Sequence, residues 1–423
     1  MTKEDRAQVG LSAEHDVEGL PVRITWIANF IPPYAAWMYR NLGERLQNFR
    51  LLLSTGMEKG RTWRPDLSLP NTRIQRTLSW TYQSRHPNGF TETLQSHFPY
   101  DTIPLLLKEK PKVVISSELG ARTVQALIYR LLCPATRLIV RATVSEVSEQ
   151  GRGCLRNWLR RAMLKYVDAV LVNGKSGTRY IGRFGVPLEK LFTVPYTTEM
   201  TALTRVPLER PIEAAFRLLY VGQLIGRKGL LPFCEILREW ALRHENRTLN
   251  LWIVGTGDLR DSLGKCAFPG NVTVRFLGAV PYADLPSVYA ECGLLVFPTL
   301  ADEWGMVVNE AMAAGLPVLG STFSQAVEEL VREGQNGWCF RPNSRNEMYS
   351  ALDRALSTSE SKMSEMRRNA RKTVGYLTPS YAADQVLDAV RFVSSQRGTN
   401  EGLGSSLNET SSLASVAVRR VKR

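Results

Sequence analysis

Short apolar runs alternate along the chain with longer segments whose apolar positions recur at helical spacing. These runs include VRITWIA at 22–28, VVISS at 113–117, RLLYVG at 217–222 and LLVF at 294–297. Such runs are typical of parallel strands buried on both faces, with helices between them. Near 201–214, proline and charge replace the periodicity. The pattern therefore predicts an α/β protein with two doubly wound domains, 21–203 and 204–376. The polar segments 1–20 and 397–423 predict a mobile N-terminus and a disordered basic tail.

The stretch 294–321, LLVFPTLADEWGMVVNEAMAAGLPVLGS, predicts a strand, a loop, a helix and a second strand. Gly315 stands where a left-handed C-cap would end the helix, and Gly305 would let a ligand approach the backbone. The N-terminus of such a helix offers unpaired N–H groups and partial positive charge, which suits a phosphate. Asp302 precedes the helix and Glu310 lies in its second turn, where both carboxylates could accept hydrogen bonds from hydroxyl groups. A phosphate and a cis-diol are what a nucleotide sugar presents.

A second candidate site follows the apolar run RLLYVG. In the loop QLIGRKGL, Gly222 and Gly229 flank Arg227 and Lys228, which predicts that backbone and cations converge on an anionic ligand. A cation beside a leaving diphosphate would stabilise the charge that grows in the transition state. The GTG at 255–257 lacks the third glycine of a dinucleotide fingerprint, so we do not predict hydride chemistry.

Composition and charge narrow the class of ligand. The chain has 423 residues, enough for two domains with ample cores, and its net charge is +14. This charge predicts an acidic partner, such as nucleotide phosphates, anionic lipid or nucleic acid. No run approaches the ~18 apolar residues of a membrane-spanning helix, and the first residues lack a signal-peptide core. The six cysteines show neither CxxC pairs nor metal-ligand spacing, so we predict a cytoplasmic protein with no metal site.

The segment 151–166, GRGCLRNWLRRAMLKY, predicts an amphipathic helix with an apolar stripe among basic residues. The stripe consists of Leu155, Trp158, Leu159, Ala162 and Met163, and the basic residues are Arg152, Arg156, Arg160, Arg161 and Lys165. A basic amphipathic helix with tryptophan suits an anionic membrane surface. The alternative is a surface helix that packs its stripe on the protein's own core and leaves the arginines solvated. The sequence leaves both interpretations open.

Further positions could face the ligand edge of the first sheet. The loop after the first strand carries a stiff Pro-Pro-aromatic sequence, so Pro33 and Tyr34 could line an acceptor pocket or form a tight turn. Glu118 and Arg141 each follow a predicted strand and could face the cleft. We interpret these four residues as candidates for the acceptor side.

Several of these motifs resemble those of one family. DEWGMVVNEAMAAGLPV is similar to the E-x7-E segment of retaining GT-B-fold glycosyltransferases of the family 4, or group 1, type. QLIGRKGL resembles the family's G-R-L-x-x-x-K-G loop, and TFSQAVEELVREGQNG resembles its G-G-x-x-E-x-V-x-x-G-x-N-G segment. The resemblance covers roughly 20–396 and is stronger in the second half. It implies two Rossmann-like domains that face each other across a cleft, with a C-terminal helix, 377–396, that crosses back to the first domain.

The resemblance also implies roles for individual residues. Glu310 would bind the ribose of the donor nucleotide, and Asp302 or its neighbour Glu303 would contact the transferred sugar. Lys228 matches the family's diphosphate-binding lysine, and Arg227 would supply the charge of the family's arginine, which is absent from its usual position. The other residues implied to contact the donor nucleotide are Gly222, Gln223, Ala279, Val280, Trp304, Gly305, Met306 and Glu329.

The activity implied by the resemblance is transfer of a hexose from a UDP- or GDP-sugar to an acceptor, with retained anomeric configuration. The acceptor would be a cell-surface glycan or a lipid-linked glycan precursor. No cofactor, metal or nucleic-acid partner is implied, and the protein would work in the cytoplasm or at the inner face of the plasma membrane. Two alternatives remain open: a GT-B-type nucleotide-sugar epimerase, and a non-catalytic basic protein that binds membrane or nucleic acid.

Overall fold

The computed structural model describes residues 22–58, 69 and 71–396. The predicted mobile N-terminus, 1–20, and the predicted basic tail, 397–423, lie outside the described residues. Two separate parallel sheets form within the described part of the chain, and the change from one to the other falls close to the predicted linker. The apolar runs form these strands because both faces of each sheet are covered.

The first sheet has helices on both faces. Its domain contains the strands β1 (Ile24–Ala28), β2 (Phe49–Leu53), β3 (Thr72–Ile74), β4 (Thr77–Arg85), β5 (Thr91–Pro99), β6 (Val113–Ser117), β7 (Arg137–Ala142), β8 (Ala169–Val172) and β9 (Leu191–Thr193). The helices are α1 (Pro33–Arg45), α2 (Thr102–Glu109), α3 (Ala121–Leu132), α4 (Cys154–Leu164), α5 (Lys175–Gly182) and α6 (Thr201–Thr204). Within the described residues the sheet order is β3-β2-β1-β6-β7-β8-β9, with parallel pairing throughout. Neighbours along β1, Trp26 and Ile27, pack into different cores on the two faces.

The second sheet repeats this arrangement. Its strands are β10 (Arg217–Val221), β11 (Leu249–Val254), β12 (Val272–Gly278), β13 (Leu294–Phe297), β14 (Val318–Ser321) and β15 (Gly337–Phe340). The helices are α7 (Leu230–Arg243), α8 (Arg260–Gly264), α9 (Leu285–Ala290), α10 (Met306–Ala313), α11 (Gln325–Leu330), α12 (Arg345–Leu356), α13 (Glu360–Val374) and α14 (Pro379–Ser395). In the described residues the order is β12-β11-β10-β13-β14-β15, again all parallel. The predicted pair of Rossmann-like domains is confirmed.

The last helix crosses back to the first domain. Ala382, Val386 and Val390 of α14 are buried in the core that α1 and β1 also line. An ion pair of 2.7 Å between Arg45 and Asp384 joins α1 to α14 at the surface. The predicted crossing helix is therefore present, and it fastens the end of the second domain to the first.

Three predicted residues in the first domain lie in other elements than the sequence indicated. Helix α1 begins at Pro33, so Pro33 and Tyr34 lie in its first turn and not in a loop. Proline suits this position because the first helical residue needs no N–H partner and its fixed φ is already helical. Strand β7 continues through Ala142, so Arg141 lies inside a paired strand and is buried, and does not follow the strand as predicted.

The sequence pattern assigned no element to the β4–β5 hairpin. Nine residue pairs join its two strands, and most of its side chains are exposed on both faces. A strand pair that lacks a buried face has no apolar alternation to reveal it. The tip reaches the second domain, where Asn88 Nδ2 donates a 2.7 Å hydrogen bond to the carbonyl oxygen of Leu300. The hairpin therefore spans from one domain to the other.

The predicted amphipathic helix is α4, but its buried face is not the apolar stripe. Leu155, Trp158 and Leu159 are exposed, whereas Arg160 and Leu164 are buried. Arg160 donates a 2.6 Å hydrogen bond to Glu149 and contacts the hydroxyl of Tyr180, which compensates the guanidinium for its loss of water. Within the stripe, Met163 alone packs partly against the core, so the alternative in which the whole stripe packs there is wrong, and so is the placement of Arg160 among the solvated arginines. Among the described residues, no helix is long and apolar enough to span a membrane.

Candidate active site

A cavity of about 570 Å³ lies between the two domains, at the carboxyl ends of the second sheet's strands. Its lining combines loops that follow β10 and β13 with side chains of the first domain. The sequence-predicted residues that line it are Tyr34, Gly222, Gln223, Arg227, Lys228, Asp302, Glu303, Trp304, Gly305, Met306 and Glu310. The loop after β10 and the loop after β13 are about 75 residues apart in the chain. They meet at this cavity because β10 and β13 are neighbours in the sheet.

Two cations and one carboxylate form the centre of this cavity. Lys228 Nζ lies 2.5 Å from a carboxylate oxygen of Asp302, and Arg227 lies 3.6 Å from the same oxygen. Burial lowers the pKa of Lys228, and Asp302 opposes that shift. Burial alone would raise the pKa of Asp302, but Lys228 and Arg227 outweigh it and hold this pKa below its usual range. Gly229 (φ 67°) closes the loop so tightly on β13 that a Cβ would overlap the carbonyl oxygen of Pro298. The loop therefore holds both cations at a fixed place.

Glu303 lies beside this cluster and is exposed to the cleft. Desolvation within the cleft raises the pKa of its carboxyl group to about 8, against the opposing effect of Arg227. Its backbone oxygen accepts hydrogen bonds from Asn173 at 3.2 Å and from Gln325 at 2.8 Å, which fix the loop. A carboxyl group that is neutral near pH 7 can donate as well as accept a hydrogen bond, which suits contact with sugar hydroxyls.

Glu310 faces the same cavity from the second turn of α10. Tyr289 Oη donates a 3.3 Å hydrogen bond to its carboxylate, and burial raises the pKa of Glu310 to about 7. The helix begins after Gly305 (φ 107°), where a Cβ would lie 2.7 Å from the ring of Phe297. Glycine is therefore required at this turn, and the free N–H groups of the first helical turn lie at the cavity. At the other end, Gly315 has φ 82°, as the predicted left-handed C-cap requires.

Three residues that were predicted to contact the donor nucleotide do not line the cavity. Ala279 and Val280 follow β12, at the edge of the second sheet. Glu329 accepts a hydrogen bond from the backbone N–H of Lys175 and lies 3.5 Å from the ammonium group of the same lysine. The structure therefore places Glu329 against helix α5 of the first domain and outside this cavity, and its contact with the nucleotide stays a prediction.

The four acceptor-side candidates also separate. Tyr34 lines the cavity and stacks on Tyr196, with ring centroids 4.6 Å apart. Arg141 is buried behind them, with its guanidinium 5.6 Å from the Tyr196 ring. Glu118 lines an adjoining cavity and pairs with Arg122. Pro33 is not among the residues that line the cavity.

Sequence reasoning missed several residues that line the cavity, among them Tyr196 and Glu92. Tyr196 lies close to the predicted linker, and burial raises its pKa to about 12. Glu92 of β5 lies 3.4 Å from Arg227 and brings the hairpin to the cavity. Neither residue stands in a motif, because each reaches the site through the packing of the two domains. The described part of the chain contains no group of three or more His, Cys, Asp or Glu residues that could hold a metal ion.

Comparisons with known proteins agree with this architecture. Residues 215–358 match the family model described as glycosyl transferases group 1. An uncharacterized glycosyltransferase of Methanocaldococcus jannaschii is 32% identical over 142 residues, which are 33% of this chain and 35% of that protein. The O-antigen chain mannosyltransferase B of Escherichia coli is 28% identical over 186 residues, 41% of this chain and 47% of that protein. The match thus spans less than half the length of these curated relatives.

The likeness to solved structures extends over both domains. The crystal structure of the Anabaena protein HepE in complex with UDP superposes with a TM-score of 0.64 at 14% identity, and the match covers 87% of this chain and 99% of HepE. At this identity the likeness establishes the fold. The chain therefore has the GT-B fold, and residues 215–358 of its second domain match the group 1 glycosyltransferases, as the sequence resemblance predicted.

Proposed function

We propose that this protein is a glycosyltransferase that moves a hexose from a nucleotide diphosphate sugar to a hydroxyl group of a glycan or lipid-linked glycan precursor. The observation that carries the proposal is the meeting of Lys228, Arg227, Asp302 and Glu310 around the N-terminus of α10 in one cavity. Each part of a nucleotide sugar has a matching partner there: cations and helix N–H groups for the diphosphate, and carboxyl groups for hydroxyls.

The proposed reaction retains the anomeric configuration. The bond from the anomeric carbon to the diphosphate breaks, the bond to the acceptor oxygen forms on the same face, and the departing phosphate takes the acceptor's proton. Lys228 and Arg227 would stabilise the charge that grows on the diphosphate, so no metal ion is required by this proposal. Asp302 holds Lys228 in place, and Asp302 or Glu303 would bind hydroxyls of the transferred sugar. Glu310 would accept hydrogen bonds from the ribose.

A thermal-shift screen of UDP-, GDP- and ADP-sugars tests the donor. One nucleotide should raise the midpoint of unfolding, because a ligand at a hundred times its Kd stabilises the folded state by about 2.7 kcal/mol. Inorganic phosphate at the same concentration serves as the control for a general anion effect. A nucleotide sugar that is converted to its epimer without an acceptor would identify the epimerase instead. The absence of any shift with all three nucleotides would contradict the proposal.

The exposed side of α4 supports a second proposal, peripheral binding to the anionic inner face of the plasma membrane. Leu155, Trp158 and Leu159 are exposed next to Arg161 and Lys165, which are exposed as well. Apolar side chains can enter the interface while each nearby cation contributes about 1 kcal/mol on an anionic surface. Arg160 takes no part, because it is buried in its contacts with Glu149 and Tyr180.

Vesicle flotation tests this proposal. A chain that ends at Gln396 removes the basic tail as a second source of binding. It should float with anionic vesicles, remain free with neutral ones, and be released by high salt. Replacing Trp158 with Ser, together with Arg161 and Lys165 with Gln, should abolish flotation and leave nucleotide binding intact. Flotation that is unchanged by the triple replacement would rule out α4 as the docking helix.

A further inference from the structure

A second cavity, of about 450 Å³, adjoins the donor cavity in the first domain. Leu94, Arg152 and Glu303 line both cavities, so the two spaces meet beside the residues that would hold the transferred sugar. One wall of the second cavity is the β4–β5 hairpin, and the opposite wall is α4 with the segment before it.

The hairpin wall presents aromatic rings. Trp80 and Tyr82 lie on the same face of β4, opposite Ser96 and Leu94 of β5. Both rings line the cavity, and 53% of Trp80 and 43% of Tyr82 remain exposed. Aromatic walls with a few convergent polar groups are typical of sites for small organic ligands. The flat apolar faces of these rings match the apolar face of a sugar ring in size and shape.

The wall formed by α4 carries more positive than negative charge. Arg160 lies 2.6 Å and Arg152 lies 3.6 Å from the same oxygen of Glu149, so two guanidinium groups share one carboxylate. Arg156 makes no ion pair or hydrogen bond within the described residues, although it lines the cavity. The nitrogen of Arg152 that lies 3.6 Å from Glu149 is its buried Nε, and this distance is too long for a hydrogen bond, so Nε has no hydrogen-bond partner in the described part of the chain. A buried donor without a partner is costly, and an anion in the cavity would satisfy it.

The other charged residues of the cavity do not cancel this excess. Glu118 is already paired with Arg122. Glu303, whose pKa is raised to about 8, is mostly neutral near pH 7. Arg152 and Arg156 are therefore the groups left to bind an anion.

We propose that this cavity binds the acceptor, and that the acceptor is a saccharide that carries a carboxylate or a phosphate. Its ring would stack on Trp80 and Tyr82, and its anionic group would bind Arg156 and Arg152. A hydroxyl group would then reach the junction at Glu303 and attack the donor sugar. The reaction is the transfer proposed above, with the acceptor's proton leaving on the diphosphate, so this inference rests on the proposed function.

Saturation-transfer NMR tests the proposal with the full chain and a saturating nucleotide diphosphate. The probes are the methyl glycosides of glucose, galactose and mannose, the corresponding hexuronides, and the corresponding hexose 6-phosphates. At least one anionic probe should bind, and its neutral counterpart should bind at least ten-fold more weakly. Preference for the hexuronide or for the phosphate identifies the anion. Equal binding of neutral and anionic probes, or no binding by any probe, would overturn the proposal.

Two pairs of variants separate the site from general effects. Arg156→Gln should weaken binding of the anionic probe by about ten-fold. Arg161→Gln removes the same charge from the same helix outside this cavity, and it should leave binding of the probe unchanged. Trp80→Ala should weaken binding of the probe as well. Trp158 is a similarly exposed tryptophan outside the cavity, so Trp158→Ala should leave binding of the probe unchanged. Equal effects within either pair would mean that the probe binds elsewhere. The nucleotide affinity is measured in every variant: intact nucleotide binding without probe binding refutes only the acceptor site, and absent nucleotide binding refutes the proposed function.

Discussion

Replacing Lys228 with Met should lower turnover by about a hundred- to a thousand-fold, the effect expected when one donor to the developing charge is removed. Lys228 matches the family's lysine position and contacts Asp302 at 2.5 Å, inside the cavity. The loss should appear in kcat, because the charge on the leaving diphosphate grows only in the transition state. Methionine keeps most of the side-chain volume and its packing against the Phe297 ring, which lies 5.5 Å from the ammonium group.

Arg227→Met is the matched comparison and should cause a smaller loss. The Arg227 guanidinium is also held by Glu92 at 3.4 Å and by the carbonyl oxygen of Ala301 at 3.1 Å, so less of it is directed at the donor. Both variants are compared with the parent at saturating donor. A larger loss in the Arg227 variant would mean that the two roles are reversed.

The same Lys228 variant should change the pH dependence of stability. The pKa of Asp302 is held below its usual value by Lys228 and Arg227 against the effect of burial. A carboxyl group whose pKa is lowered in the folded state stabilises the fold at a pH above its unfolded-state pKa of about 4. That stability is lost as the pH falls through the pKa of the folded state. Without Lys228 the pKa of Asp302 should move back toward its usual value, so the variant should lose less stability on acidification than the parent. Thermal unfolding of both proteins between pH 7 and acid measures the difference.

Glu310→Gln should weaken nucleotide binding by about ten- to a hundred-fold while the fold is retained. A charge-assisted hydrogen bond of this kind is worth roughly 1.5–3 kcal/mol, and glutamine keeps the shape and one acceptor for the Tyr289 hydroxyl. Glu291→Gln is the control, since Glu291 is paired with Arg217 at the surface and lies outside the cavity. Calorimetry with the nucleotide found in the donor screen gives the affinities. Equal affinities of parent and variant would refute the ribose role.

The raised pKa of Glu310 gives this prediction a pH signature. Burial raises the pKa to about 7, so the free protein loses the carboxylate charge as the pH falls through 7. Nucleotide affinity in the parent should therefore fall between pH 8 and pH 6, and it should change less in the Gln variant. A raised pKa also means that the associated stability of the free protein is lost as the pH rises through 7. This stability is fully present below the unfolded pKa of about 4 and is lost by about pH 7, so nucleotide affinity should rise while stability falls only between about pH 6 and pH 7.

The sequence by itself determined the two doubly wound domains, the crossing helix and about half of the residues that line the cavity between the domains. Strand β13, helix α10 and strand β14 follow one another within 294–321. The apolar runs, glycines and carboxylates that form this part of the cavity are therefore also close in the chain. The loop with Arg227 and Lys228 is equally local, and the rule that ligands bind at the carboxyl ends of parallel strands brings it to Asp302. Local patterns of this kind are readable because each is fixed by backbone geometry and the burial of neighbouring residues.

Only the tertiary structure decided which side chains the first domain brings to the cleft. Arg141 is buried inside β7, Arg160 replaces the apolar stripe as the buried part of α4, and Glu329 binds α5. The β4–β5 hairpin contributes Glu92, Trp80 and Tyr82, although its sequence has no buried alternation. Each of these outcomes depends on partners far away in the chain. A charged side chain can be buried only where the rest of the fold supplies an opposite charge or hydrogen-bond partners. A strand that is polar on both faces is ordered only where other parts of the fold contact it.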